Sequence, residues 1–64
     1  MRTLHRNCPI DVSAFPSASG WTASATFVGA GKASVTVVCR KETELSANMA
    51  ALAEARRMID GVTE

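Results

Sequence analysis

The chain has 64 residues, 47% of them hydrophobic, and seven Lys and Arg against six Asp and Glu leave a net charge of +1. That length holds a single core, so one domain spans 1–64. The charge balance fits neither a polyanion-binding basic surface nor an acidic mimic, and no run approaches the roughly 18 apolar residues of a membrane span. The N-terminus, MRTLHRNCPID, lacks the apolar stretch of a secretory signal, which makes a cytoplasmic location the expectation.

Met1 to Asn7 contains Arg2, His5 and Arg6 with Leu4 as its one aliphatic. It reads as a lead-in, or a short edge strand, closing at a turn around Arg6-Asn7 because Asn tolerates positive φ. Cys8 to Phe15 alternates, with Cys8, Ile10, Val12 and Ala14 on one face and Pro9, Asp11, Ser13 and Phe15 on the other. Pro9 cannot donate to a ladder, so this strand belongs at an edge or pairs only through its C-terminal part. Pro16 to Gly20 is a turn.

Trp21 to Val28 alternates again, Gly29 to Lys32 reads as a second turn, and Ala33 to Cys39 supplies a third alternating run. Side-chain phase then sets the register. Pairing 14 with 23, 12 with 25 and 10 with 27, then 25 with 37 and 27 with 35, puts every apolar row on one face. The opposite face carries Asp11, Ser13, Thr22, Ser24, Thr26, Ser34 and Thr36, suited to water or to another molecule.

Glu44 to Asp60 is the one convincing helix. Thr43 is the expected N-cap, with Ser46 as the runner-up, and Gly61 is the expected stop. At 100° per residue Leu45, Met49, Leu52, Arg56 and Ile59 form a narrow stripe, widened on one side by Ala51, Ala55 and Met58. Leu45, Met49, Leu52 and Ile59 are therefore predicted to cover the sheet, with Ala47 and Ala50 facing away. Arg56 within the stripe is read as a stem over the core edge with its head in water. The predicted fold is α+β, a three-stranded antiparallel meander with one C-terminal helix on one face (βββα).

Chemistry has few candidates. Cys8 and Cys39 fall about 20 Å apart in a meander at 3.3 Å per residue, far beyond disulfide reach, so both thiols should be free. One His and no C-x-x-C give no metal signal. His5 stands three residues from Cys8, but no third group is evident to orient it, so catalysis is not expected. Gly29-Ala30-Gly31-Lys32 leads into a strand rather than a helix, which makes it a hairpin turn and not a phosphate cradle. No cofactor is implied.

Partner binding remains. Arg2, His5, Arg6, Trp21, Arg40, Lys41, Arg56 and Met58 are the candidate contacts, Trp21 being read first as a lid on the core. A core this small and free sheet edges favour a homodimer, through an edge strand or the Met58–Val62 end of the helix. A weak nucleic-acid binder using Arg2, His5, Arg6, Arg40 and Lys41 is the alternative, although an RNA-reading sheet would show aromatics where this one shows hydroxyls.

The segments His5-Arg6-Asn7, Ile10-Asp11-Val12, Gly20-Trp21-Thr22-Ala23 and Arg56-Arg57-Met58-Ile59-Asp60 occur in an order that resembles a group of small uncharacterised bacterial βββα domains. The likeness covers most of the chain. It departs at Asn7, where a Gly is usual, and at the helix start, which lacks the usual acidic pair after the cap. What it implies is the fold, with no activity attached. A more distant likeness is to the small sheet-plus-helix antitoxins of toxin–antitoxin pairs, which implies binding to a partner protein.

Overall fold

The computed structural model describes residues 1–29 and 33–63, the side chains of residues 62 and 63 excepted. Four strands, β1 (Arg2–His5), β2 (Cys8–Ser17), β3 (Gly20–Val28) and β4 (Ser34–Lys41), precede one helix, α1 (Glu44–Thr63). All neighbours are antiparallel and the sheet order is β1-β2-β3-β4, an uninterrupted meander with the helix on one face. The α+β class and the C-terminal helix are as expected, but the sheet has four strands where three were predicted.

The extra strand is the lead-in. Arg6 and Asn7 both take positive φ, 53° and 64°, the signature of a two-residue type I′ turn whose twist matches a hairpin. The hairpin then pairs Arg2 with Asp11, Thr3 with Ile10, Leu4 with Pro9 and His5 with Cys8. It makes β2 an interior strand. Pro9 still limits it: pairing with β3 begins only at Asp11, as a missing N–H requires.

The predicted registers hold at Val12↔Ala25, Ala14↔Ala23, Ala25↔Val37 and Phe27↔Val35. The β2–β3 connection is tighter than expected, since pairing continues to Ser17↔Gly20 and leaves only Ala18 and Ser19 in the loop. The Gly29–Lys32 turn falls mostly on residues 30–32, outside those described, although the Gly29 N–H donates to the Ala33 carbonyl at 2.8 Å.

Thr43 caps the helix as predicted. Its Oγ1 accepts from the Ser46 N–H at 3.1 Å, and its carbonyl accepts from the Ala47 N–H at 3.0 Å. Gly61 does not stop it, because α1 runs to Thr63. The face it buries also differs from the prediction. Ala47, Ala51, Ala55 and Ile59, one every four residues, form the buried row, against Ile10, Val12, Ala23, Ala25 and Phe27 from the sheet. Leu45 is 68% exposed and Met49 62% exposed, while Leu52 is only half-buried against the core.

The reason is how the helix is turned about its axis. Leu45, Met49, Arg56 and Asp60 share one flank of the helix. Asp60 reaches His5 and Arg6 of the β1–β2 hairpin, so this flank overhangs the β1 side. At the other end, where Ser46 stands near Ser19 of the β2–β3 loop, β1 has already finished at the level of Val12. At 100° per residue Leu45 and Met49 each stand about 160° round the helix from the buried Ala47, so at that end both face away from the sheet. Small alanines instead let the helix settle closely on β2, β3 and β4.

Candidate interaction surfaces

The sheet face away from the helix is built by strand alternation alone. Arg2, Leu4, Pro9, Asp11, Ser13, Phe15, Thr22, Ser24, Thr26, Val28, Ser34, Thr36, Val38 and Arg40 share it. Hydroxyls line its middle, with Thr26 and Thr36 Oγ1 atoms 3.2 Å apart and Ser13 and Ser24 Oγ atoms 3.4 Å apart. Around them Leu4, Phe15, Val28 and Val38 are each more than half exposed. Sequence reasoning counted the hydroxyls and passed over these four, because each falls at the end of a strand or beyond the central alternation.

The positive groups do not gather. Arg2 Nε donates to Asp11 Oδ1 at 2.8 Å, and Nη2 to Oδ2 at 3.2 Å, which holds the Asp11 carboxyl below its ordinary range chiefly through the hydrogen bond. Arg57 is hydrogen-bonded to Glu54 on the helix surface. Arg6 Nε lies 2.8 Å from Asp60 Oδ1. Among the described residues, Arg40, Lys41 and Arg56 carry no such ion pair. Arg56 is exposed on the helix flank beside Met49, far along the chain from the Arg40-Lys41 end of β4. Arg40 and Lys41, with Ser19, Glu42 and Ser46, line a shallow open depression of about 490 Å³.

His5, Cys8 and Asp60 form an arrangement the sequence did not suggest. His5 and Cys8 are cross-strand partners on the helix-facing side of the β1–β2 hairpin. His5 Nε2 donates to Asp60 Oδ1 at 2.8 Å, the ring hydrogen being on Nε2 because a carboxylate can only accept. That bond, followed by the charges of His5 and Arg6, holds the Asp60 carboxyl below its ordinary range. The orienting group missing from the sequence reading is therefore present. The thiol, however, is turned away: Cys8 Sγ lies 3.7 Å from the Val28 carbonyl oxygen and 4.0 Å from that of Pro9.

Trp21 is half-buried against the core, opposite Pro16 and Lys41, in the lid position expected of it. Met58 is 37% exposed, and the Val62 side chain with which it was paired lies outside those described. Cys39 sits opposite Ala23, and both thiols are free. Among the described residues no three His, Cys, Asp or Glu side chains are grouped to hold a metal ion, and no helix is long and apolar enough to cross a membrane. No protein-family model, no curated protein and no solved structure matches this chain.

The edges differ in kind. Met1 and Val12 exchange both backbone bonds, each at 2.7 Å, so the Val12 N–H and C=O point toward β1. Alternation then turns Asp11, Ser13 and Phe15 toward β3, and Ala23, Ala25 and Phe27 of β3 toward β4. Val35, Val37 and Cys39 of β4 answer them. Ser34, Thr36, Val38 and Arg40 are left with their backbone groups pointing outward. The two prolines agree with this parity: Pro9 points at β3, where pairing fails, and Pro16 points outward, where its missing N–H breaks nothing inside the sheet.

Proposed function

We propose that this chain is a small protein-interaction module that pairs with itself and acts by binding, with no chemistry of its own. The observation that carries the reading is the β4 edge, where Ser34, Thr36, Val38 and Arg40 turn their backbone groups outward, with Leu4, Phe15, Val28, Val38, Leu45 and Met49 also exposed on the 64-residue protein. Single exposed apolar residues are ordinary, whereas Leu45 and Met49 stand one turn apart on the helix and so form an apolar pair of the kind that marks contact surfaces. The thiol of Cys8, turned onto carbonyl oxygens, supports the absence of nucleophilic catalysis. A cytoplasmic setting goes with the two free thiols.

Weak nucleic-acid binding is the second reading, and the Arg40-Lys41 depression is what favours it. It is the weaker one, since Arg2, Arg6 and Arg57 are already engaged by carboxylates.

Sedimentation equilibrium over a dilution series from about 100 μM to 1 μM tests self-pairing. A mass rising toward twice 6.7 kDa at the upper end is expected. A monomer throughout removes the homodimer and leaves those surfaces to a different partner.

A further inference from the structure

We infer that β4 is the edge at which a second copy of this chain adds, antiparallel, with Val37 on the two-fold axis, giving one eight-stranded sheet with both helices on the same side. The inference rests on the self-pairing proposed above and names the surface that does it.

The two sides of the sheet are not equivalent. On the β1 side the outward N–H groups are those of Arg2 and Leu4 in one column and Ala14 in the next, where Pro16 has none to offer. A short strand, a step between columns and a proline are the devices that blunt an edge. On the β4 side four residues in one column, Ser34, Thr36, Val38 and Arg40, point both backbone groups outward. The strand has no proline, no glycine and no charge before Arg40. Nothing in its central stretch discourages another strand.

The sequence of β4 is also complementary to itself. A hydrogen-bonded antiparallel partner must join outward residues to outward residues, so the numbers of paired residues add to an even sum. With Val37 opposite its own copy, Thr36 meets Val38 and Ser34 meets Arg40 on the open face. On the helix side Val35 meets Cys39 of the second copy. Seven residues on each strand overlap and four outward residues per copy exchange eight hydrogen bonds. Sliding the pair to put Val38 on the axis sets Lys41 against Val35, and sliding further sets Arg40 against Arg40. Sliding the other way, with Thr36 on the axis, sets Val35 against Val37 but overlaps only residues 34–38 of β4. The Val37-centred pairing is the one that combines a seven-residue overlap with no cation facing an apolar residue or another cation.

Its size sets its strength. Seven residues span about 23 Å at 3.3 Å per residue, and the molecule is 17 Å across its narrow axes. The area covered is then about 800 Å² in total, within the range of weak, reversible contacts rather than permanent ones. The dimer should therefore dissociate on dilution through the micromolar range.

Val38→Pro removes one outward N–H and alters only an exposed side chain. The expected result is a dimer at least tenfold weaker by sedimentation equilibrium, with the far-ultraviolet circular dichroism of the wild type. A variant that stays folded and pairs as the wild type does overturns the edge assignment while leaving self-pairing intact. Should Val38→Pro unfold, Val37→Cys in a Cys8→Ser, Cys39→Ser background decides the matter. Non-hydrogen-bonded antiparallel partners sit about 4.5 Å apart at Cα, within disulfide reach, so mild oxidation should link the two copies. Failure to link, in a protein that still sediments as a dimer, refutes the β4 pairing. A wild-type monomer at every concentration refutes both this pairing and the self-association on which it rests.

Discussion

Replacing Ala51 with Leu is expected to unfold a large fraction of the protein at room temperature. Ala51 is the middle of the buried alanine row and has no exposed surface, with Ala47 and Ala55 equally buried on either side. A Leu there must push α1 off the sheet or force strained rotamers, at a cost of about 3 kcal/mol. A core of this size leaves only a few kcal/mol of net stability, so the loss is close to the whole. Leu45→Ala and Met49→Ala are the matching controls. Both residues are more than 60% exposed, and each change should move the stability of the monomer by less than about 0.5 kcal/mol. Urea unfolding followed by circular dichroism reads all three. If Leu45→Ala costs more than Ala51→Leu, the helix lies on the face that its large side chains suggest and not on its alanines.

Gly20 is the second sensitive position. Its φ is 148°, in the region that L side chains avoid, and a Cβ placed on it would stand 2.5 Å from the Lys41 carbonyl oxygen. That oxygen belongs to the backbone at the end of β4, just before the turn into α1, so it has little freedom to retreat. Gly20→Ala should therefore cost about 3 kcal/mol, from the strained conformation together with the displaced chain. Gly61→Ala should do the reverse. Gly61 lies inside the helix with nothing within 4 Å of its Cβ position, and alanine there should add up to about 1 kcal/mol. Thermal melts of the pair should move in opposite directions. A Gly20→Ala melt that matches the wild type would mean that the β2–β3 loop and the end of β4 are not in contact as described.

The strand registers were legible because parity admits little choice. Once Ile10, Val12, Ala23, Ala25, Phe27, Val35 and Val37 must share a face, a one-residue slip exposes a whole row. β1 was harder to see. Its four residues bring one aliphatic, Leu4, and that side chain faces away from the core. The strand is held by the Arg6-Asn7 turn, the Arg2–Asp11 pair and the link from His5 to Asp60, all of which need the partner strand or the helix already in place.

The helix face was misjudged for a related reason. Ranking positions by side-chain size overlooks that the smallest residues allow the closest approach, and here Leu45 and Met49 stand nearly opposite the buried Ala47 on the helix. Three alanines at four-residue spacing were the visible sign of a close approach. His5 and Asp60 are 55 residues apart, so no local pattern joins them. The outward parity of β4 needs the Met1–Val12 bonds as well as the sequence.

Amide hydrogen exchange at Ser34, Thr36, Val38 and Arg40 tests most directly the claim that this module pairs with itself through β4. In the isolated chain these four N–H groups face solvent, whereas Val35, Val37 and Cys39 are held by β3. Concentrated protein should protect all seven, and dilution below the association midpoint should release the four even-numbered amides while the odd-numbered ones stay protected. Rapid exchange of the four at every concentration, in a sample whose mass is that of a dimer, would place the interface elsewhere.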